Sequence, residues 1–203
     1  LGVNYILDDC YNGFNQASCD LVTRRADYTI AQILDAPINA SELYTEGVDL
    51  GLDATWDLGN SLLSASVLWS HFLENYRKSF PDDDEFDLIG RYAGQAFAED
   101  KANFQLSWEW NSLRVSWLGE YIGELDSPAY FFQDYDQKID SQFYHDIIVD
   151  YNFDRTGTTI SAGITNVSDE APPYLDEGFN AKTDPSTYRM FGQGYYIRIK
   201  QSF

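Results

Sequence analysis

The two cysteines, Cys10 and Cys19, are the residues whose spacing most directly suggests chemistry. They lie close together in a polar stretch, and such a pair facing an oxidising space most simply forms a disulfide that holds a loop. A metal site would need two more soft ligands, and the histidines, His71 and His145, fall in separate predicted strands. The spacing therefore favours the disulfide, and we assign no metal ligands.

Carboxylates are abundant, with 33 Asp and Glu residues, but no motif makes them catalytic. The chain has no glycine-rich phosphate loop, no His-x-x-x-His pair and no Gly-x-Ser-x-Gly elbow. Paired acids for glycoside hydrolysis need a defined separation, which a sequence rich in Asp and Glu cannot demonstrate. We predict no enzyme, no catalytic residue and no cofactor. The net charge of -20 also argues against nucleic acid, because no basic stripe neutralises phosphates.

Four aromatic residues in a polar stretch are candidates for ligand contact: Tyr130, Phe131, Phe132 and Tyr135. They lie beside Asp134 and Asp136, and exposed aromatic rings can stack on sugars or chelate rings. Packing among the loops explains them equally well. The small-molecule ligand itself is not identified by these residues.

A two-residue alternation of apolar and polar side chains recurs along the chain and predicts strands with one apolar face. The alternation predicts strands near residues 48–58, 62–73, 102–110, 113–121, 143–153, 158–167 and 194–203, and a weaker one at Leu1 to Leu7. These eight segments are near the ~9–11 residues that a tilted strand needs to cross a bilayer. No run approaches the 18 or more apolar residues of a membrane helix, which excludes a helical span.

Short and long connections alternate strictly between these strands. Tight turns are predicted near residues 58–61, 111–112 and 154–157, whereas residues 8–47, 74–100, 122–142 and 168–193 form long polar connections. In an up-and-down antiparallel sheet this places the short turns at one end and the long loops at the other, as in outer-membrane barrels. The predicted fold is all-β, an antiparallel up-and-down transmembrane β-barrel segment.

The final nine residues alternate and end on an aromatic residue. Tyr195, Ile197 and Ile199 would face lipid and Phe203 would lie at the membrane boundary, which is how outer-membrane barrels finish. We interpret these four residues as an outer-membrane assembly signal read by the barrel-assembly machinery.

Several motifs in order carry a resemblance to a known family. They are Cys10…Cys19…Arg24, Asn39-Ala40…Gly47-Val48-Asp49-Leu50, Ile164-Thr165-Asn166-Val167-Ser168-Asp169…Pro172-Pro173-Tyr174, Gly178-Phe179-Asn180…Thr183-Asp184-Pro185-Ser186-Thr187-Tyr188, and Tyr195-Tyr196-Ile197-Arg198-Ile199…Phe203. Together they resemble the carboxyl-terminal part of a TonB-dependent outer-membrane receptor, over nearly all of residues 1–203.

The resemblance implies a plugged barrel of about 22 strands, of which this chain supplies roughly the last eight. It implies uptake of a scarce bulky nutrient, such as an iron-siderophore, cobalamin or an oligosaccharide, across the outer membrane of a Gram-negative bacterium. The energy would come through the TonB complex by way of the amino-terminal part. The plug domain is absent from these residues, so we expect the chain to be a piece of a longer protein.

Two alternatives remain open from the sequence. One is a complete small eight-stranded outer-membrane barrel with a structural or adhesion role, and the other is a secreted β-sandwich binding module. For the receptor, Leu1–Leu7 and Tyr195–Phe203 should be unpaired edges, and the apolar side chains of the strands should face outward. That set is Val48, Leu50, Leu52, Trp56, Phe104, Leu106, Trp108, Val115, Trp117, Ile147, Val149, Ile197 and Ile199. The opposite charges, Asp49, Asp53, Arg114, Glu120, Asp146 and Asp150, would line a ligand path, contact a plug or simply solvate the wall.

Overall fold

The computed structural model describes residues 2–35, 42–78, 84–127, 137–176, 178 and 181–202. The chain divides into two compact units, one comprising Leu1–Leu43 with Arg77–Glu85 and the other Tyr44–Tyr76 with Phe86–Phe203. Among the described residues, no helix has the length and apolar character needed to span a membrane.

The first unit contains two short helices and a hairpin: α1 (Val3–Tyr11), α2 (Gln16–Asp20), β1 (Val22–Arg24) and β2 (Ile30–Ile33). The side chain of Asn15 caps α2 by accepting a hydrogen bond from the Ala17 N–H at 3.0 Å. The predicted disulfide is present and joins α1 to α2, with the Cys10 and Cys19 sulfur atoms 2.12 Å apart.

The predicted strand at Leu1–Leu7 is wrong, because residues 3–7 belong to helix α1. Val3, Ile6 and Cys10 also recur at intervals of three and four residues, so they share one side of a helix. Ile6 and Cys10 are buried, and burial of that stripe outweighs the weak two-residue alternation. In a segment this short, the pattern of apolar residues cannot distinguish the two-residue period of a strand from the period of a helix.

The second unit carries most of the sheet. In chain order its strands are β3 (Glu42–Asp57), β4 (Ser61–Lys78), β5 (Phe86–Asp87), β6 (Arg91–Tyr92), β7 (Ala96–Phe97), β8 (Asp100–Trp110), β9 (Leu113–Ile122), β10 (Leu125–Ser127), β11 (Gln137–Ile139), β12 (Gln142–Phe153), β13 (Thr158–Thr165) and β14 (Gly194–Gln201). The large sheet has the order β14-β13-β12-β9-β8-β4-β3, and β5 also pairs with β4. We call these seven ordered strands the wall.

The wall confirms all the predicted strands except Leu1–Leu7, with β3 and β4 longer than predicted. Its antiparallel up-and-down order follows because each hairpin turn reverses the chain after one strand. Asn111 adopts a left-handed backbone, φ 50°, and Gly157 has φ 64°. Asn and Gly tolerate that conformation at least cost, so these tight turns are encoded locally.

One face of the wall is apolar and exposed. Leu106 lies opposite Trp117, Trp117 opposite Ile147, Ile147 opposite Ile164, and Ile164 opposite Tyr195. Directly opposed residues place their side chains on the same side of a sheet. None of the residues in the predicted outward-facing set is buried, and Leu106 is 42% exposed. This exposure confirms that the set does not form a dry core.

The other face of the wall is largely polar. Glu109 lies opposite Arg114, Arg114 opposite Asp150, Asp150 opposite Ser161, and Ser161 opposite Arg198. The hydroxyl groups of Ser107 and Ser116, 2.9 Å apart, hydrogen-bond on the same face. The sheet therefore separates an apolar surface from a polar one across β8, β9, β12, β13 and β14.

The wall is open within the described residues, because β3 and β14 each have a partner strand on one side only. The predicted edge at Leu1–Leu7 is replaced by β3, since residues 3–7 lie in helix α1. The edge predicted at Tyr195–Phe203 is present as β14, although Phe203 lies outside the described residues.

The long connections of the second unit contain structure that the sequence did not predict. Strands β6, β7, β10 and β11 form a small four-stranded sheet in the order β11-β10-β6-β7. A hydrophobic core joins this sheet to the strand ends of the wall and to residues 166–193, through Tyr92, Ala96, Ala98, Ile122, Leu125, Ile139, Tyr144, Leu175 and Tyr188. We call this buried cluster the cap core.

Candidate functional site

A group of charged contacts lies where the connection between β13 and β14 folds onto the polar face. We call residues 166–193 the last connection; residues 166–176, 178 and 181–193 of it are described. Its two arms are 166–176 and 181–193. Both arms contact β12, and the second arm also contacts β9.

Arg189, in the second arm, binds two carboxylates on the polar face. Its Nε donates to Glu120 Oε2 at 3.0 Å, and its Nη1 donates to Asp146 Oδ1 at 2.7 Å. The guanidinium also lies over the ring of Tyr144, 5.4 Å from the centroid. Burial opposes the charge, but the hydrogen bonds to Asp146 and Glu120 outweigh it and raise the pKa of Arg189. Arg189 is therefore a fixed cation between two anions.

Asn166, in the first arm, is buried, and its side chain hydrogen-bonds to other residues of the last connection. Its Nδ2 donates to the carbonyl groups of Glu170 at 2.8 Å and Phe191 at 3.2 Å, and its Oδ1 accepts from Glu170 N at 2.9 Å. Its backbone N–H donates to Asp146 Oδ1 at 2.8 Å. The left-handed φ of 49° suits Asn better than most residues. Asn166 thus ties the two arms together and to β12.

Two tyrosines of the cap core lie beneath this network. Tyr144 is 0% exposed and Tyr188 is 3% exposed. Burial, together with the nearby Tyr144 and Asp184, raises the pKa of Tyr188 well above its usual value. The phenol hydroxyl of Tyr188 has no hydrogen-bond partner among the described residues. Both rings therefore stabilise the site by packing.

An acidic pocket of about 460 Å³ lies beside the small sheet. Acids outnumber cations in its lining, with Arg91 and Lys138 as the cations and Asp87, Glu99, Asp100, Glu124, Asp126 and Asp140 as the acids. Within the described parts of the chain, no group of three His, Cys, Asp or Glu side chains is arranged to hold a metal ion. The pocket suits a cationic or polyhydroxylated solute more than an anion.

The two histidines lie on different strands, as expected, and each has its own surroundings. His71, in β4, has its Nδ1 2.9 Å from Asp100 Oδ1, which also accepts from Trp69 Nε1 at 2.9 Å. His145, in β12, lies beside Phe143 with ring centroids 5.7 Å apart.

The sequence located some of these residues and missed others. Tyr130, Phe131, Phe132 and Tyr135 lie outside the described residues, so their ligand contact stays a prediction. Glu120 and Asp146 were correctly placed on the polar face, but their common partner Arg189 was not found. The only available signal was a lone arginine in a long acidic segment, which does not reveal a partner 69 residues away.

The exposed side chains of β14 fit the predicted assembly signal without testing it. Tyr195, Ile197 and Ile199 are 72%, 77% and 69% exposed on the edge strand. They continue the apolar face beyond β13. Their role in assembly remains a prediction.

Comparison with known proteins gives a fold likeness. No protein-family model and no curated protein matches the chain. Among solved structures, it matches a mutant of the ferric enterobactin receptor from Pseudomonas aeruginosa, with a TM-score of 0.56 and 16% sequence identity. The chain shares the fold of part of that receptor. The match covers 79% of this chain but 22% of the receptor chain, so the likeness concerns a fraction of the receptor's length.

Proposed function

We propose that the chain forms the carboxyl-terminal part of the barrel wall of a TonB-dependent outer-membrane receptor. The observation that carries the proposal is an open antiparallel wall with an exposed apolar face and a polar face, in a fold shared with part of a siderophore receptor. An exposed apolar face is favourable in contact with lipid, whereas exposure of such a large apolar surface to water is unfavourable. The polar face would then line the lumen.

The proposed activity is uptake of a scarce bulky nutrient, energised by the TonB complex through the amino-terminal part of the protein. The transported class would be an iron-siderophore, cobalamin or an oligosaccharide. The aromatic set Tyr130, Phe131, Phe132 and Tyr135 remains the proposed ligand contact, and no catalytic residue is assigned. The barrel-assembly machinery and the lipids of the Gram-negative outer membrane are the proposed partners of β14 and the apolar face.

The two alternatives have less support. A β-sandwich buries its apolar strand faces between two sheets, whereas the apolar set here is not buried. A complete small barrel requires its edge strands to pair, and in the described parts of the chain β3 and β14 do not.

A pair of neighbouring substitutions in β8 tests the membrane placement. Leu106 and Gln105 are both exposed but lie on opposite faces. Leu106→Arg in the intact protein should cost about 2–4 kcal/mol in a bilayer and lower the assembled fraction in the outer membrane, because an arginine at the lipid face is penalised. Gln105→Arg should assemble normally. Equal assembly of the two variants would contradict a lipid-facing surface.

Uptake is tested separately with the intact gene. A deletion strain and its complemented counterpart are grown with iron chelates, cobalamin or oligosaccharides as the limiting nutrient. We expect growth on one class of nutrient to require the gene. Gene-dependent uptake of that nutrient should stop when the proton-motive force is collapsed. Equal growth of both strains on all three classes would argue against a transporter.

A further inference from the structure

We propose that Arg189 is a positioning residue that latches the last connection onto the polar face of the wall. The connection would then be a fixed part of the barrel mouth instead of a freely moving loop. The assignment of this end of the wall to a barrel mouth rests on the proposed function. The latch itself follows from contacts within the second unit.

A single carboxylate holds both arms of the last connection. Asp146 Oδ1 accepts from Asn166 N of the first arm at 2.8 Å and from Arg189 Nη1 of the second arm at 2.7 Å. The Asp146 side chain is only 14% exposed, whereas Glu120 is 35% exposed. The shielded carboxylate is therefore the main anchor, and Glu120 fixes the second nitrogen of the same guanidinium.

A second arginine on the polar face provides a comparison for the ion pairs of Arg189. Arg114 binds Glu109 at 2.9 Å between neighbouring strands, and these side chains are 54% and 39% exposed. Such an exposed local pair adds little to stability. Arg189 instead joins β9, β12 and a segment that has no strand in its described residues, so its two ion pairs close a long stretch of chain.

The chemistry of the site explains why arginine serves there. The planar guanidinium uses separate nitrogens for two carboxylates and still lies over the Tyr144 ring, which a lysine ammonium cannot reproduce. Loss of the cation would leave Glu120 and Asp146 facing the cap core without a counter-charge. Their repulsion would then favour departure of the second arm.

Hydrogen exchange of the full-length protein in a bilayer tests the latch without any ligand. In Arg189→Gln, peptides from 166–176 and 181–193 should exchange about tenfold faster than in the wild type, because the ion pairs that hold both arms are lost. Arg189→Lys should give an intermediate rate. Peptides from β8 and β9 should change little.

Arg114→Gln is the matched control, since it removes an arginine from the same face without touching the last connection. Combining Arg189→Gln with Glu120→Gln should slow exchange again by removing repulsion, an effect that lost packing alone would not produce. If Arg189→Gln does not assemble, the wild type in rising NaCl replaces it, and exchange in both arms should accelerate as the ion pairs are screened.

The latch is overturned if exchange in both arms of Arg189→Gln stays within about twofold of the wild type, or if Arg114→Gln accelerates it equally. For the salt series, unchanged exchange in both arms overturns it. These measurements need no uptake, so a failed latch is distinguishable from a failed transporter assignment.

Discussion

The amino-terminal segment, residues 2–35, which we call the first connection, and the last connection, residues 166–193, are both long. They are stabilised in different ways. The first has helices α1 and α2 joined by the Cys10–Cys19 disulfide, with few buried side chains. The last has no helix and no disulfide in its described residues, yet it contributes Leu175 and Tyr188 to the cap core. The first connection is therefore stabilised by a covalent cross-link, and the last connection by side-chain packing and ion pairs.

Residues with left-handed backbone occur in both segments. In the first connection Phe14 and Tyr28 have φ of 53° and 66° and are 86% and 81% exposed. In the last, Asn166 has φ of 49°, is buried and is satisfied by hydrogen bonds, whereas Ala181 and Lys182, with φ of 51° and 57°, are exposed. The last connection therefore differs in having one left-handed residue that is buried and joins its two arms.

The largest effect should come from truncating a fully buried side chain of the last connection. Leu175→Ala should lower the free energy of opening of the last connection by about 2–5 kcal/mol, because Leu175 is 0% exposed and truncation leaves a cavity. Hydrogen exchange of residues 166–176 measures it. Leu34→Ala is the control, since Leu34 is 54% exposed. Similar effects at both leucines would remove the distinction between the connections.

Removal of the disulfide should destabilise the first connection and leave the last connection unchanged. Replacing both cysteines by serine should destabilise α1 and α2 by about 2–3 kcal/mol, because the unfolded segment regains the freedom that the cross-link removes. Exchange of the amides in α1 and α2 should rise, while that of 166–193 stays unchanged. A rise of exchange in the last connection would show that the two connections are not independently held.

A glycine in the last connection tests how tightly its arms are packed. A Cβ at Gly178 would lie 2.5 Å from Thr183 N and 2.8 Å from Lys182 C, and backbone atoms cannot easily move aside. Gly178→Ala should therefore cost about 1–3 kcal/mol by overpacking. Gly51→Ala in β3 meets no atom within 4 Å and is the control. Thermal unfolding of the two variants measures the difference, and equal midpoints would show that the arms can relax.

The smallest effect concerns a polar atom in the cap core. Tyr188→Phe should leave stability unchanged or raise it by up to about 1 kcal/mol, because the buried hydroxyl has no partner among the described residues. Denaturant unfolding with Tyr188→Phe beside the wild type measures it. A loss greater than about 1 kcal/mol would mean that the hydroxyl is hydrogen-bonded.

Much of the wall could be predicted because its pattern is repeated. Val115 and Trp117 alternate with Arg114 and Ser116, and the same period recurs in each strand, so one misleading residue changes little. Leu1–Leu7 failed because a short alternating segment also fits a helix, and only the burial of Ile6 decides between them. The cap core could not be predicted, since Tyr92, Leu125 and Tyr188 come from three connections without a period.

The sequence by itself determined the strands, the tight turns, the apolar and polar faces and the pairing of Cys10 with Cys19, because each depends on neighbours a few residues apart. Only the tertiary structure decided that the segment around Ile6 is helical, that β3 is an edge, and that Arg189 joins Glu120 to Asp146. Those features depend on burial and on contacts between distant parts of the chain. No local spacing records which charges will meet once the strands have paired.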